Sequence, residues 1–560
     1  MKNPAHCLAL LTIVLLLGPP ALSAAAPQSP SHDPAARVDE LMAKYDDGPG
    51  GVVAVVRGGE VVFAKAYGIA NIEHGVPMSR ETVLDVGSVA KQFTAFAIVL
   101  LTQEGKLSLD DDIRKHLPEI PDFGTMITVR HLVHHMSGLR EIYNSSALAG
   151  WKAGDGISQG AAIHLIARMR ELNFEPGSEY MYCNTGYMLL SDIVARVSGI
   201  PFHEFMAENV FGPLGMKNTT IMTSFGQSIP NAAESYGPAD GGGFVRIFDN
   251  STIQGAGGIY TTVDDLAAWM SNYGEATVGG MSAIEQMQQH GVLTSGRTLP
   301  YAFGINVGER RGQRTFSHGG SSAGYRSSFT YFPDLEGGVI TLSNFARFDG
   351  SIAGQVIEAF FGDHLEPMPE RPQAADAPPE VDVDEVILEA YVGDYELRPG
   401  FVLSFTREGS TLRGQATGQG RNVFTASSDS TFHLGSIASV TFHRAADGTV
   451  PSVTLHQNGD RVANRIEPWV PSAAELAALQ GKYFSPELET IYTIVVEDGK
   501  LIAKHRRHSD FELTPTEQDV YEGPSFFGSA RIERNDAGEP TGMRVSNGRV
   551  RNLLFEKQRG

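Results

Sequence analysis

At 560 residues the chain is too long for one hydrophobic core, and its 42% hydrophobic and 19% charged residues are those of an ordinary globular protein. Its 65 acidic residues against 44 basic ones give a formal charge of −21, which excludes the basic footprint of a nucleic-acid-binding protein. The two cysteines, Cys7 and Cys183, exclude a disulfide framework, so stability must come from packed cores.

Lys2, the apolar run CLALLTIVLLL and the small residues of ALSAAA read as a secretory signal over residues 1–26. The apolar run is too short to span a bilayer. The expectation is a periplasmic or secreted protein with no stable membrane span, from which Cys7 departs with the signal. Helical periodicity begins around Val38. GVVAVVRGGEVVFAKAYG then reads as a β-hairpin, with Val-rich runs on either side of Gly58-Gly59. A long helix follows Ser88, with Val89, Phe93, Phe96, Ala97, Leu100 and Leu101 at helical spacing and Gly105 as its stop. Far downstream, YRSSFTYFP and GGVITLSN read as strands and SIAGQVIEAFF as a closing helix. Strands at both ends of this region predict one antiparallel sheet closed by early and late segments, with the helices between forming a second lobe.

EPMPERPQAADAPPEVDVDE is rich in proline and acid and reads as a linker, residues 363–382. Beyond it come short alternating strands and a faint repeat. Leu388, Gly393 and Tyr395 recur 88 positions later as Leu476, Gly481 and Tyr483, and Gly409 and Leu412 have approximate counterparts in Gly499 and Leu501. Two similar β modules are expected, residues 383–468 and 469–560, after a mixed domain over 35–362 that folds without them.

Within DVGSVAKQFTAF, Ser88 stands three residues before Lys91, so both face one side of a helix. Alone, S-x-x-K is a weak signal: Ser is a good N-cap and Lys ordinarily decorates a solvated face. Here the helix is apolar on most sides, where burial would lower the lysine's pKa and turn its amine into a base for a serine nucleophile. Tyr182 and Asn184 in YMYCNTGY supply a proton-sharing phenol and an amide that orients the lysine. His318-Gly319-Gly320 in FSHGGSSAGY lets backbone approach a ligand closely. The plain reading of the Tyr182–Asn184 stretch is a turn that caps the next helix. Cys183 reads as a small buried filler, the second H-x-G at His433 as chance, and His131, His134 and His135 as a lead-in to a loop rather than a metal site.

The three motifs in this order, with GSVAKQFTAFAIVLLTQEGKLSLDD, ITVRHLVHHMSGL, VFGPLGMKNTT and GAGGIYTTVDDLAAW, resemble the serine β-lactamase and penicillin-binding-protein superfamily over roughly residues 35–362. The likeness is greatest to the class C, D-aminopeptidase and esterase branch. It implies an α/β (α+β) β-lactamase/transpeptidase-like fold, an antiparallel sheet flanked by helices plus a helical lobe. It implies Ser88 as nucleophile, Lys91 and Tyr182 as a coupled proton-handling pair, and Asn184 as positioning both lysine and substrate. His318, Gly320 and Ser321 would line the substrate, with the backbone N–H groups of Ser88 and Ser321 as oxyanion donors. No cofactor or metal is implied. The tail modules resemble the lipocalin-like barrels that follow the catalytic domain in some D-aminopeptidase relatives, on YVGDY and LQGKYFSPELETIY.

The implied activity is cleavage of amide or ester bonds in a small-molecule or peptide substrate through a Ser88 acyl-enzyme. The alternatives are a β-lactamase or D,D-carboxypeptidase, and a non-catalytic protein that binds cell-wall peptides or β-lactams. His318 stands where β-lactam-processing relatives carry a lysine, which favours amine-bearing or neutral acyl donors. The oligomeric state is not legible.

Overall fold

The computed structural model describes residues 33–152, 154–367, 380–398, 401–416, 419–435, 437–457, 459–466 and 469–559. The expected signal segment lies outside these residues, as does most of the expected linker. Asp33 caps α1 (Pro34–Met42), its carboxylate accepting from Ala35 N–H. β1 (Gly51–Arg57) and β2 (Glu60–Tyr67) form the expected hairpin, turning at Gly58 and Gly59, both at positive φ. α2 (Lys91–Gln103) continues directly from a 3₁₀ turn, Gly87–Ala90, that carries Ser88. The helical lobe includes α3 (Asn184–Ser198), and α4 (Val263–Glu275) returns the chain to the sheet. β3 (Asn306–Arg310), β4 (Gln313–Ser322), β5 (Tyr325–Phe332) and β6 (Gly337–Ser343) follow, then α5 (Ser351–Phe361).

The sheet runs β3-β4-β5-β6-β1-β2, all antiparallel, and the early hairpin joins the late strands through Gly51 opposite Ser343 and Ala54 opposite Ile340. The adjoining inner strands β6 and β1 are buried on both faces, which is why they read as continuous apolar runs. Val52, Ala54, Val56, Ile340 and Leu342 face the large core with α2 and α4. Val53, Val55 and Val339 face a second core with Val38, Met42, Val356 and Phe361 of α1 and α5. Period-2 alternation thus splits one valine run between two layers of helix. Among the described residues no helix is long and apolar enough to cross a membrane.

The tail forms two closed eight-stranded antiparallel barrels. The first, β7 (Gly393–Arg398) to β14 (Asp460–Ile466), follows the short helix α6 (Glu385–Tyr391). The second, β15 (Gly481–Ser485) through β21 (Pro540–Asn547) and β22 (Val550–Lys557), follows α7 (Ala473–Leu479). The repeat has a physical basis. Leu388 and Leu476 plug the barrels from their helices, and Tyr395 and Tyr483 are fully buried. Each tyrosine donates to the carbonyl four residues earlier, Tyr395 to Tyr391 O at 3.1 Å and Tyr483 to Leu479 O at 2.8 Å. Gly393 and Gly481 hold φ of 147° and 141° at the helix-to-strand corner.

The second barrel shares a core with the helical lobe. Leu148 and Ala149 pack with Leu479, Tyr483 and Tyr492, and Tyr492 donates to Leu148 O at 3.0 Å. Arg140 and Glu487 form an ion pair at 2.7 Å with side chains 1% and 3% exposed. Arg168 donates to Pro486 O at 2.6 Å, and Arg507 pairs with Asp155 at 2.7 Å.

Removing one member of a buried pair leaves the other charge without compensation, which costs about 3–5 kcal/mol. Glu487→Gln in the full chain is therefore expected to lower the denaturant midpoint strongly, and the paired change Arg140→Met, Glu487→Leu to recover most of the loss. Equal stability of Glu487→Gln and the parent would show that the two units are not energetically joined through this pair.

Candidate active site

Ser88 sits where the 3₁₀ turn becomes α2, and Lys91 is the first residue of that helix. The side chain of Lys91 is fully buried. Its Nζ lies 3.1 Å from Ser88 Oγ, 2.8 Å from Asn184 Oδ1 and 2.7 Å from Ala256 O. It also lies over the rings of Tyr182 and Tyr187, at 4.9 and 5.6 Å from their centroids. Burial pulls its pKa down to about 7, against the attraction of Glu141 and with help from Arg549. A neutral amine has two hydrogens and one lone pair. The Asn184 and Ala256 oxygens take the hydrogens, and the lone pair is left toward Ser88.

Tyr182, Cys183 and Asn184 lead into α3, with Cys183 at the N-cap and Asn184 the first helical residue. The phenol of Tyr182 is buried and forms no hydrogen bond of ordinary geometry among the described residues. Its pKa is raised well above the usual phenol value by burial, with Ser88 acting in the opposite direction. Asn184 bridges inward, its Nδ2 donating to Glu141 Oε1 at 2.7 Å. Glu141 is completely buried, and its second oxygen accepts from Asn144 N–H at 2.9 Å as the cap of the helix Ile142–Leu148. A carboxylate, an amide and an amine are thus aligned behind the serine. Glu141 carries no motif of its own; its position two residues after the S-G-L phrase was the available signal.

β4 runs past the turn that carries Ser88. Gly87 is at φ +50°, where a Cβ would come within 2.7 Å of Ser321 N. A Cβ on Gly320 would collide with Val86 O and Ser327 Oγ. Only glycine lets strand and turn approach this closely, so the backbones of Ser88 and Ser321 border one spot. His318 lies on β4 ahead of Ser321. It is buried, with Nδ1 2.7 Å from Gly319 O and Nε2 3.1 Å from the Tyr301 hydroxyl. Burial, aided by Lys91, lowers its pKa to about 4, so the imidazole is neutral, donating through Nδ1 and accepting through Nε2. The other sequence-marked histidines serve local structure. His131 accepts from Thr128 N–H, His134 lies between Arg130 O and Gln289 O, and His135 accepts from Cys183 N–H.

Two cavities meet at Ser88 and Ser321. One, of about 350 Å³, is bordered by Asn184, Tyr143, Asp249, Ser251 and Arg549. The other, of about 470 Å³, is bordered by Tyr182, His318, Arg326 and Phe348. Arg549 comes from the second barrel. Asp249 accepts from Tyr260 and Ser322 hydroxyls and lies beside Asp85, a fully buried carboxyl whose pKa burial and Asp249 raise strongly. Asp85 in turn accepts from Gly87 N–H at 2.8 Å and braces the turn that carries Ser88.

A serine hydroxyl facing a buried lysine amine, on a helix set against an antiparallel sheet, defines a hydrolase of the acyl-serine class. The chain belongs to the β-lactamase family, whose model matches residues 36–357. Residues 377–467 match a domain of unknown function, DUF3471. A D-aminopeptidase from Brucella anthropi is 30% identical over 56% of this chain and 60% of its own length, so this alignment spans less than two thirds of that relative. A D-aminopeptidase from Cereibacter sphaeroides is 29% identical over 81% of this chain and 82% of its own length. In fold, an octameric penicillin-binding protein homologue from Pyrococcus abyssi is similar with a TM-score of 0.56 and 24% identity, covering 77% of this chain and 99% of that one.

The same geometry sets Cys183 apart from the serine. Its thiol is buried, lies 3.4 Å from Leu139 O and has its pKa pushed up to about 11 by burial. A thiolate is required for alkylation. In folded protein at pH 8, iodoacetamide is expected to leave the Cys183 peptide unmodified, with labelling only after denaturation. Rapid modification in the native state would contradict the buried thiol.

Proposed function

We propose that the chain is a D-aminopeptidase- or amidase-type serine hydrolase with Ser88 as the covalent residue. The observation that carries this reading is the buried Lys91 amine, close to neutral at physiological pH and 3.1 Å from Ser88 Oγ. Ser88 gives its proton to Lys91 as its oxygen attacks the substrate carbonyl. The backbone N–H groups of Ser88 and Ser321 receive the developing oxyanion. Tyr182, kept as a phenol by its raised pKa, relays a proton to the departing amine. The C–N bond breaks and an acyl-serine remains. Water, deprotonated by the same pair, then attacks the ester, and Ser88 recovers its proton as the acid leaves. Lys91 and Tyr182 titrate as one unit. Asn184 and Glu141 hold the amine in line. The D-aminopeptidase relatives support an amide of a D-amino acid as the substrate class. The signal-like residues 1–26 support export.

A panel of D- and L-amino-acid amides, p-nitrophenyl esters and a chromogenic cephalosporin tests the substrate class. D-amino-acid amides are expected to give the highest kcat/KM; a preference for the cephalosporin would overturn it. A fluorophosphonate should label the Ser88 peptide by mass spectrometry, and Ser88→Ala should lose at least about a thousandfold in kcat. An adduct on another residue would reassign the nucleophile.

The lysine also sets a pH dependence. The reactive form has Lys91 unprotonated, so kcat/KM for an uncharged ester should climb about tenfold per unit below pH 7 and level off above it. His318 is neutral throughout that range, so the limb should survive His318→Gln. A limb that vanishes in His318→Gln, or one centred near 10, would remove Lys91 as the base.

A further inference from the structure

The last hairpin of the second barrel ends inside the site. Gly548 and Arg549 form its two-residue tip, between paired Asn547 and Val550, with Gly548 at φ +54°. The tip is clamped by the helical lobe. Asn144 Nδ2 donates to Asn547 Oδ1 at 3.3 Å, Asn173 Nδ2 donates to Arg549 O at 2.9 Å, and Arg551 N–H donates to Asn173 Oδ1 at 2.8 Å. A Cβ on Gly548 would come within 2.8 Å of Asn144 Nδ2, so the fit admits only glycine without a shift.

This clamp fixes the base of a side chain whose head stays available. The Arg549 guanidinium lies 5.6 Å from the centroid of Tyr182, donates to Tyr182 O at 3.1 Å, and borders the Asn184 cavity with a side chain 36% exposed. Glu141 approaches it only to 4.0 Å, and both Glu141 oxygens already accept, from Asn184 and from Asn144 N–H. An arginine carries five N–H donors in a planar fork suited to a carboxylate. Among the described residues this one donates a single side-chain hydrogen bond. It is also the one cation among the residues that border that cavity.

We propose that Arg549 is a specificity-determining residue that receives a carboxylate carried by the acyl group of the substrate. The assignment of side rests on the hydrolase reading above. Tyr182 borders the other cavity and passes the proton to the leaving amine, so the leaving group departs there and the acyl group occupies the Asn184 cavity with Arg549. His318 on β4 stands where β-lactam-processing relatives carry a lysine, and here the barrel supplies a cation from a different direction. The substrate class is an amide of a D-amino acid with an acidic side chain.

The experiment compares D-glutamyl and D-glutaminyl p-nitroanilides, equal in shape and different in charge, in the parent, Arg549→Gln and Arg549→Lys. A second arm measures calorimetric binding of D-glutamate and D-glutamine to Ser88→Ala protein, with and without Arg549→Gln. The parent is expected to prefer the glutamyl substrate, and Arg549→Gln to cut the glutamyl-to-glutaminyl ratio of kcat/KM about tenfold. Arg549→Lys should keep part of the ratio, and the binding preference should follow the same order. A ratio that is the same in parent and Arg549→Gln overturns the proposal, as does a parallel fall for both substrates with a lowered melting temperature, which marks a purely structural bolt. Binding that discriminates through Arg549 without turnover of either anilide leaves this proposal standing and removes the hydrolase reading. Turnover of both anilides with no discrimination does the reverse.

Discussion

An ammonium group cannot be held cheaply in a dry interior, and the site is organised around that fact. Lys91 has no exposed surface, and the carboxylate that faces its surroundings, Glu141, is separated from it by the Asn184 amide. With Asn184 Oδ1 and Ala256 O as acceptors, the uncharged amine is satisfied and still has one electron pair to offer. The apolar character of α2, the position of α3 and the close approach of β4 all serve this one requirement. A lysine at the same position on a solvated helix would keep its proton and be chemically idle at neutral pH.

Much of this was legible in the sequence where chemistry and periodicity coincided. Ser88 and Lys91 stood out because a lysine interrupted an otherwise apolar helical pattern. Gly319-Gly320 stood out because two glycines in a strand ask what approaches them, and at Gly320 the answer is Val86, beside the turn that carries Ser88. The split sheet was readable from Val-rich runs at both ends of the domain. The paired barrels were readable because Leu388, Gly393 and Tyr395 each perform a task that their counterparts 88 residues later repeat.

What escaped was burial and assembly. Glu141 and Glu487 look in the sequence like any solvated acid, and nothing local says that one closes the lysine network and the other meets Arg140 in a shared core. His318 was expected to line the substrate and does border the second cavity, but nothing in the sequence said that Tyr301, from a loop with no motif, would take its Nε2. The hairpin that turns at Gly548 and Arg549 carries no motif, and sequence does not say where a hairpin tip comes to rest. Nor did the sequence say that the tail would reach the cleft, where Arg549 at a hairpin tip of the second barrel borders the cavity beside Asn184.

The two-residue tip at Gly548 and Arg549 has a consequence for how such a protein can change over generations. The side chain at 549 lies outside the barrel and sheet cores, touching Tyr182, and the backbone is held through its carbonyl by Asn173. A substitution there alters the charge presented to the cavity and gives up one bond to Tyr182 O, while the clamp on the hairpin backbone stays, so ligand preference can drift without loss of either core. Most enzymes keep selectivity on the loops of the catalytic scaffold, where change and stability compete. Here selectivity rides on an appended module, and the lobe that performs the chemistry is spared the trade.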